Sequence, residues 1–171
     1  LYFSISHSIF MTLSIADLCD THSADAEFQI AESIFQSFGA KPRFSGQIST
    51  TKVFEDNVII RKLLEQKVSN RVLVIDGGGS HRCALIGADM ASTACKNGWQ
   101  GIIIYGCIRD SDEINKLSIG IRALHTHPLK SHKKGTGETG CTCVFASTHF
   151  KTDHYLYADN DGIIVSKNSL T

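Results

Sequence analysis

Apolar positions along the chain follow different patterns in its middle and at its end. Residues 71–76 (RVLVID) and the run that opens GIIIYG at Gly101 are short, continuous and apolar, as strands covered on both faces are. Between them, ALIGADMASTACKNG places Ala91, Ala94 and Cys95 where a helix would pack close to a sheet, and Gly98 can end that helix. RDSDEI then sets acidic residues in the favourable first turn of another helix. Strand, helix, strand, helix over residues 71–116 predicts a parallel βαβ unit. Upstream, residues 14–20 read as a short helix start and 31–38 (AESIFQSF) as a helical turn ending at Gly39. Residues 44–54 are rich in β-branched and aromatic side chains and predict a strand. Asp56 or Asn57 can cap a helix that carries Val58, Ile59, Leu63 and Leu64 and ends near Lys67. Beyond Ile119, IRALHTHP, CTCVFAS, HYLYAD and GIIVS predict short strands separated by turns. The class is α/β with a mixed sheet.

Composition narrows this picture. With 171 residues, 42% of them hydrophobic, the chain suits one domain, taken as residues 11–171. Residues 1–10, LYFSISHSIF, lack the basic start and cleavage site of a signal peptide and are set apart as a remnant or an upstream extension. Seventeen basic and seventeen acidic residues give no general field for gathering nucleic acid or an anionic membrane. No apolar run approaches the roughly 20 residues that cross a bilayer. Six scattered cysteines suit reduced, mostly buried thiols, so a cytoplasmic protein is expected.

In open α/β sheets, ligands bind beyond the carboxyl ends of the strands. Asp76 with Gly77, Gly78 and Gly79 follows one buried run, and Arg109 with Asp110 follows the other, so all are expected on one edge. The stretch Gly87, Ala88, Asp89, Met90 opens a helix and offers free amides to a carboxylate or phosphate. Arg109 can fork onto a carboxylate, and Asp110 can hold a hard cation such as Mg²⁺. Together they describe a receptacle for a small anionic oxo compound; the competing reading makes Arg109 and Asp110 a helix cap or an ion pair. Gly135-Thr-Gly-Glu-Thr-Gly140 matches a dinucleotide fingerprint in form but precedes a strand, where that motif needs a helix. His125, His127 and His132 lack a fourth ligand at zinc spacing and read as surface or edge histidines. Lys130, Lys133 and Lys134 read as a solvated loop.

The stretch VLVIDGGGSHRCALIGADMASTACKNGWQGIIIYGCIRDSDEI, with SGQISTTKVFEDN before it and HYLYADNDGIIVS near the end, resembles the family of the regulator of ribonuclease activity A. That family also contains divalent-metal-dependent 4-hydroxy-4-methyl-2-oxoglutarate aldolases, which decarboxylate oxaloacetate too. The resemblance implies a compact β-sandwich-like centre with a mixed sheet flanked by helices, of the swivelling β/β/α type, assembled as a homotrimer or a pair of trimers. It further implies a lyase that yields pyruvate through a metal-stabilised enolate. In it Gly87, Ala88, Asp89 and Met90 bind the pyruvyl carboxylate, Arg109 contacts substrate, and Asp110 ligates Mg²⁺ or Mn²⁺. The aldolase branch carries an acidic residue where this chain has Ala88, and Asp89 lies about 100° round the helix from it. The resemblance also implies a second role, regulation of a ribonuclease by binding it or an RNA helicase.

Overall fold

The computed structural model describes residues 13–171; the segment 1–10 set apart above lies outside them. In chain order the elements begin with α1 (Ile15–His22), β1 (Gln29–Ile30), β2 (Gln36–Phe38), β3 (Phe44–Lys52) and α2 (Val58–Leu64). The middle holds β4 (Arg71–Asp76), β5 (Ala84–Ile86), α3 (Ala88–Lys96), β6 (Trp99–Ile108), α4 (Ser111–Ile114) and β7 (Gly120–Thr126). Five strands close the chain: β8 (Glu138–Thr139), β9 (Cys143–Phe145), β10 (Thr148–Phe150), β11 (Tyr155–Asp159) and β12 (Gly162–Ser166).

The large sheet runs β1-β12-β11-β3-β4-β6-β7-β2, with β5 also paired to β6 and β8 to β3. Its centre, β3-β4-β6-β7, is parallel, and its flanks are antiparallel. One face, with Leu73, Ile75, Ile102 and Ile104, packs against α2 and α3 through Ile60, Leu64, Met90, Ala91 and Ala94. The other, with Val72, Val74 and Ile103, packs against the β9–β10 hairpin through Cys143, Phe145 and Phe150. Successive residues of β4 and β6 thus serve opposite cores, which is why those runs are apolar without alternation. Helices, sheet and hairpin form three layers, the β/β/α arrangement.

Ser14 caps α1 with a reciprocal Ser14–Asp17 box. Gly98, at φ +88°, ends α3 in the left-handed region that glycine enters without a side-chain clash. The helical turn expected over residues 31–38 is absent. Its last residues form β2, paired antiparallel with β7 from Gln36 opposite Ala123 to Phe38 opposite Ile121. Ala31 and Phe35 face the hairpin-side core while Phe38 enters the helix-side core, a division between two layers that one helical face cannot make. The strand predicted over 44–54 ends at Lys52, whose partner Asp76 is the last residue of β4.

Candidate active site

The parallel strands do not all end at one level. The last rung between β4 and β6 joins Asp76 to Tyr105, after which Gly77 and Gly79 both donate to the Tyr105 carbonyl at 3.1 Å and turn the chain away. It returns as β5, which pairs with β6 at Cys107 and Ile108. β5 was missed in the sequence, where Ala84–Ile86 merged with the Ala-rich helix. The candidate edge is therefore the end of β5 beside the end of β6. Arg109 lies four residues beyond the Tyr105 rung, about 13 Å along a strand. Asp76 instead accepts from the Gly78 amide at 2.9 Å and stays 7% exposed, so the expectation that it joins Arg109 on one edge is corrected.

At that edge the Arg109 amide donates to the Ile86 carbonyl at 2.9 Å, tying the two strand ends together. Gly87 then opens α3. Asp110 adopts φ 57°, ψ 39°, a left-handed conformation that Asp tolerates better than most side chains. Its Oδ2 accepts from the Ala88 amide at 2.9 Å, so the carboxylate sits at the start of α3 and makes no side-chain cap on its own helix, α4. Among the described residues Arg109 and Asp110 form no ion pair with each other. A Cβ on Gly87 would lie 2.8 Å from Asp110 Oδ2 and 3.5 Å from Arg109 Nε, so only glycine admits this approach. The amides of Asp89 and Met90 lie in the first helical turn, where the helix itself supplies no acceptor.

Gly87, Ala88, Asp89, Met90, Arg109 and Asp110 line one small cleft of about 80 Å³. Asp89 belongs to it despite its rotation from Ala88. Three cations whose roles the sequence did not disclose complete the walls: Arg61 of α2, and Lys130 and Lys133 of the strap over residues 128–136. Asn57 also lines the cleft. Its side chain does not cap α2; it donates to the Leu85 carbonyl at 3.2 Å and to the Met90 sulfur at 3.4 Å, bracing the start of α3. A larger cavity of about 550 Å³ lies between α1 and β11, walled by Ile15, Leu18, Phe44 and Tyr157, away from these groups.

Asp56 holds the strap. Only 2% exposed, it accepts from the Val58 amide at 3.1 Å through Oδ1, and from the amides of Lys134 and Gly135 at 2.8 Å and Thr136 at 3.3 Å through Oδ2. Burial alone would raise its pKa, but the four backbone donors outweigh burial and hold the carboxyl below its ordinary value. The strap is also stitched by Ala84 donating to Leu129 at 2.7 Å and His132 donating to Glu55 at 2.7 Å. No sequence motif marks this contact, since its partners lie 78 to 80 residues away.

Asp110 fits a hard cation in one respect: one oxygen is committed to Ala88, and no described residue donates to the other. Among the described residues no group of three or more His, Cys, Asp or Glu gathers to hold a metal, so a cation here would take its remaining oxygens from water and ligand. Mg²⁺, which keeps several waters and needs one or two carboxylates, suits that donor set. His81 and His125, with ring centroids 6.1 Å apart, and the loop over residues 135–140 are not among the residues lining the cleft.

The protein is thus a three-layer α/β protein whose strand ends present amides, a guanidinium and a carboxylate. The chain is a member of the RraA-like family, described as Aldolase/RraA, whose pattern matches residues 15–165. It is 59% identical over 160 residues to a Methylococcus capsulatus protein named "Putative 4-hydroxy-4-methyl-2-oxoglutarate aldolase", covering 94% of this chain and 99% of that one. A Dechloromonas aromatica protein of the same name is 47% identical over 163 residues, covering 94% and 100%. Among solved structures, the Thermus thermophilus RNA-processing inhibitor RraA superposes with a TM-score of 0.89 at 36% identity, over 94% of this chain and 96% of that one. A Geobacillus kaustophilus structure titled as an S-adenosylmethionine:2-dimethylmenaquinone methyltransferase also gives 0.89, at 46% identity, over 92% and 97%. The solved structures share the fold, and the aldolase name comes from the two sequence relatives.

Proposed function

We propose that this protein is a lyase of the 4-hydroxy-4-methyl-2-oxoglutarate aldolase and oxaloacetate decarboxylase type, dependent on Mg²⁺ or Mn²⁺ and releasing pyruvate. The observation that carries the reading is the convergence of Arg109, Asp110 and the opening amides of α3 in one cleft. The Asp89 and Met90 amides and the Arg109 guanidinium receive the carboxylate of a 2-oxo acid. Asp110 offers its free oxygen to the cation, while the Ala88 amide fixes the carboxylate's orientation. The cation, when bound, withdraws charge from the keto oxygen as a Lewis acid. Arg109 faces the negative charge that develops there as the neighbouring carbon–carbon bond breaks. Assembly as a homotrimer or a pair of trimers belongs to the same proposal.

Decarboxylation of oxaloacetate is the direct test, because it needs no base for a hydroxyl proton. Protein with oxaloacetate and Mg²⁺ or Mn²⁺, coupled to pyruvate reduction, gives a rate above that of free metal, and Asp110→Asn abolishes it. A rate no higher than free metal, or one that survives Asp110→Asn, refutes the reading. The Thermus relative's title favours a second reading, regulation of an RNA-processing enzyme by binding it. Immobilised protein that retains no ribonuclease or RNA helicase from a lysate of the source cells would argue against it.

A further inference from the structure

The carboxylate-binding groups at the start of α3 and at Arg109 account for only part of the cleft's positive charge. Arg61, Lys130 and Lys133 also line it, against two carboxylates, Asp89 and Asp110, the latter already turned toward the Ala88 amide. The ion pairs among the described residues involve His22, Arg71, Arg82, Lys116 and Lys167, so none of these three cations is matched by a described carboxylate. They reach the cleft from walls other than the one that supplies Arg109. Arg61 comes from α2, and the two lysines come from the strap. Neither wall is loose: Asn57, at the head of α2, is joined to β5 and α3, and the buried Asp56 carboxylate grips the strap's backbone. Three cations thus line one small cleft without an ion-pair partner among the described residues, and each favours an anion bound there.

We propose that Arg61, Lys130 and Lys133 form a second anion subsite, which receives the distal carboxylate of a dicarboxylic 2-oxo acid. The inference rests on the lyase reading for where the 2-oxo end lies, and adds which residues select a substrate with a second carboxylate. The Arg61 guanidinium can fork onto a carboxylate, and the lysines act as point charges beside it. A 2-oxo monoacid engages Arg109 and the α3 amides alone.

The test is calorimetric titration at fixed Mg²⁺ with 2-oxoglutarate, a dicarboxylate, and 2-oxobutyrate, a monocarboxylate. The wild-type chain binds 2-oxoglutarate at least tenfold more tightly. In Arg61→Gln and Lys130→Gln that ratio falls threefold or more in each, and the loss falls mainly on 2-oxoglutarate. Both side chains are exposed, and an unchanged urea midpoint confirms that the variants fold. Equal wild-type affinities, or a ratio preserved when both residues are replaced together, overturns the subsite. Oxaloacetate turnover separates this inference from the reading beneath it. A binding preference without turnover refutes the lyase and leaves the subsite standing, whereas turnover without a preference refutes the subsite alone.

Discussion

Gly87→Ala isolates the geometry of the proposed site from its chemistry. The backbone at Gly87, φ −117° and ψ −173°, is one that alanine adopts freely, so the substitution introduces no backbone strain. What it introduces is a methyl 2.8 Å from Asp110 Oδ2, about 0.6 Å short of ordinary contact. The carboxylate must swing away by that much, and its 2.9 Å bond to the Ala88 amide lengthens or breaks. Losing a good N-cap residue costs roughly 0.5–1 kcal/mol. Weakening an exposed, charge-assisted hydrogen bond adds about 1 kcal/mol. The fold thus loses about 2 kcal/mol and persists. Activity suffers more, because a misplacement approaching 1 Å costs up to about 100-fold; kcat/KM for oxaloacetate is expected to fall roughly 10- to 100-fold. Gly162→Ala is the control, since a Cβ there meets nothing within 4 Å. Metal-dependent oxaloacetate decarboxylation and urea unfolding on the three proteins give the comparison. If Gly87→Ala keeps kcat/KM within threefold of wild type, Asp110 is not held by this approach and the reasoning fails.

Other parts of the structure give sharper stability predictions. Asp56→Asn removes charge from four backbone hydrogen bonds and turns an amide donor toward at least one N–H, costing about 2–4 kcal/mol; urea unfolding and hydrogen exchange at the amides of residues 134–136 report it, and unchanged exchange there would contradict the clamp. Because the Asp56 carboxyl is held below its ordinary value, its stabilisation is full above the unfolded pKa near 4 and is lost as pH falls through the lower folded value. Those same amides should therefore lose protection below about pH 4 in wild type but not differentially in Asp56→Asn. Gly101→Ala drives a Cβ to 2.2 Å from the buried Phe44 ring and should destabilise by about 3 kcal/mol, visible as a lower urea midpoint with unchanged slope; a wild-type midpoint would show that the ring yields freely. Burial, with Cys141 and Asp76 nearby, pushes the Cys143 thiol up to about 12, so it should resist alkylation at pH 8 until the chain unfolds. Labelling of Cys143 in the native protein would mean that the hairpin opens.

The parallel centre of the sheet was legible because both faces of β4 and β6 are covered, and burial on two sides writes itself as an unbroken apolar run. Arg109 and Asp110 were legible for the same reason, as charge where such a run stops. Asp76 followed an equally clear run and was misplaced, since the length of a strand in the sheet depends on its partners. β6 outruns β4 and finds β5, a three-residue strand too short to carry a pattern of its own. β2 was misread because three residues paired with a strand some 85 positions later leave no local period. Asp56 or Asn57 was offered as the cap of α2; Asn57 holds the cap position and Asp56 takes the Val58 amide, but the rest of the Asp56 role depends on backbone amides of the strap, which have no residue signature. Lys130 and Lys133 looked like a solvated loop because nothing nearby in sequence says that the strap bonds to β5 and Asp56 and so borders the cleft.

The left-handed backbone at position 110 constrains how this surface can diverge. Glycine and asparagine keep that conformation as readily as aspartate, and glutamate also takes it in this chain, at Glu27 (φ 63°) and Glu55 (φ 54°). Replacement by glycine or asparagine removes the negative charge with little disturbance to the scaffold, whereas glutamate carries it one methylene outward and away from its place at the Ala88 amide. A lineage on this scaffold can therefore give up the carboxylate in a single substitution and keep its shape for other uses, whereas repositioning that carboxylate requires changes elsewhere in the cleft.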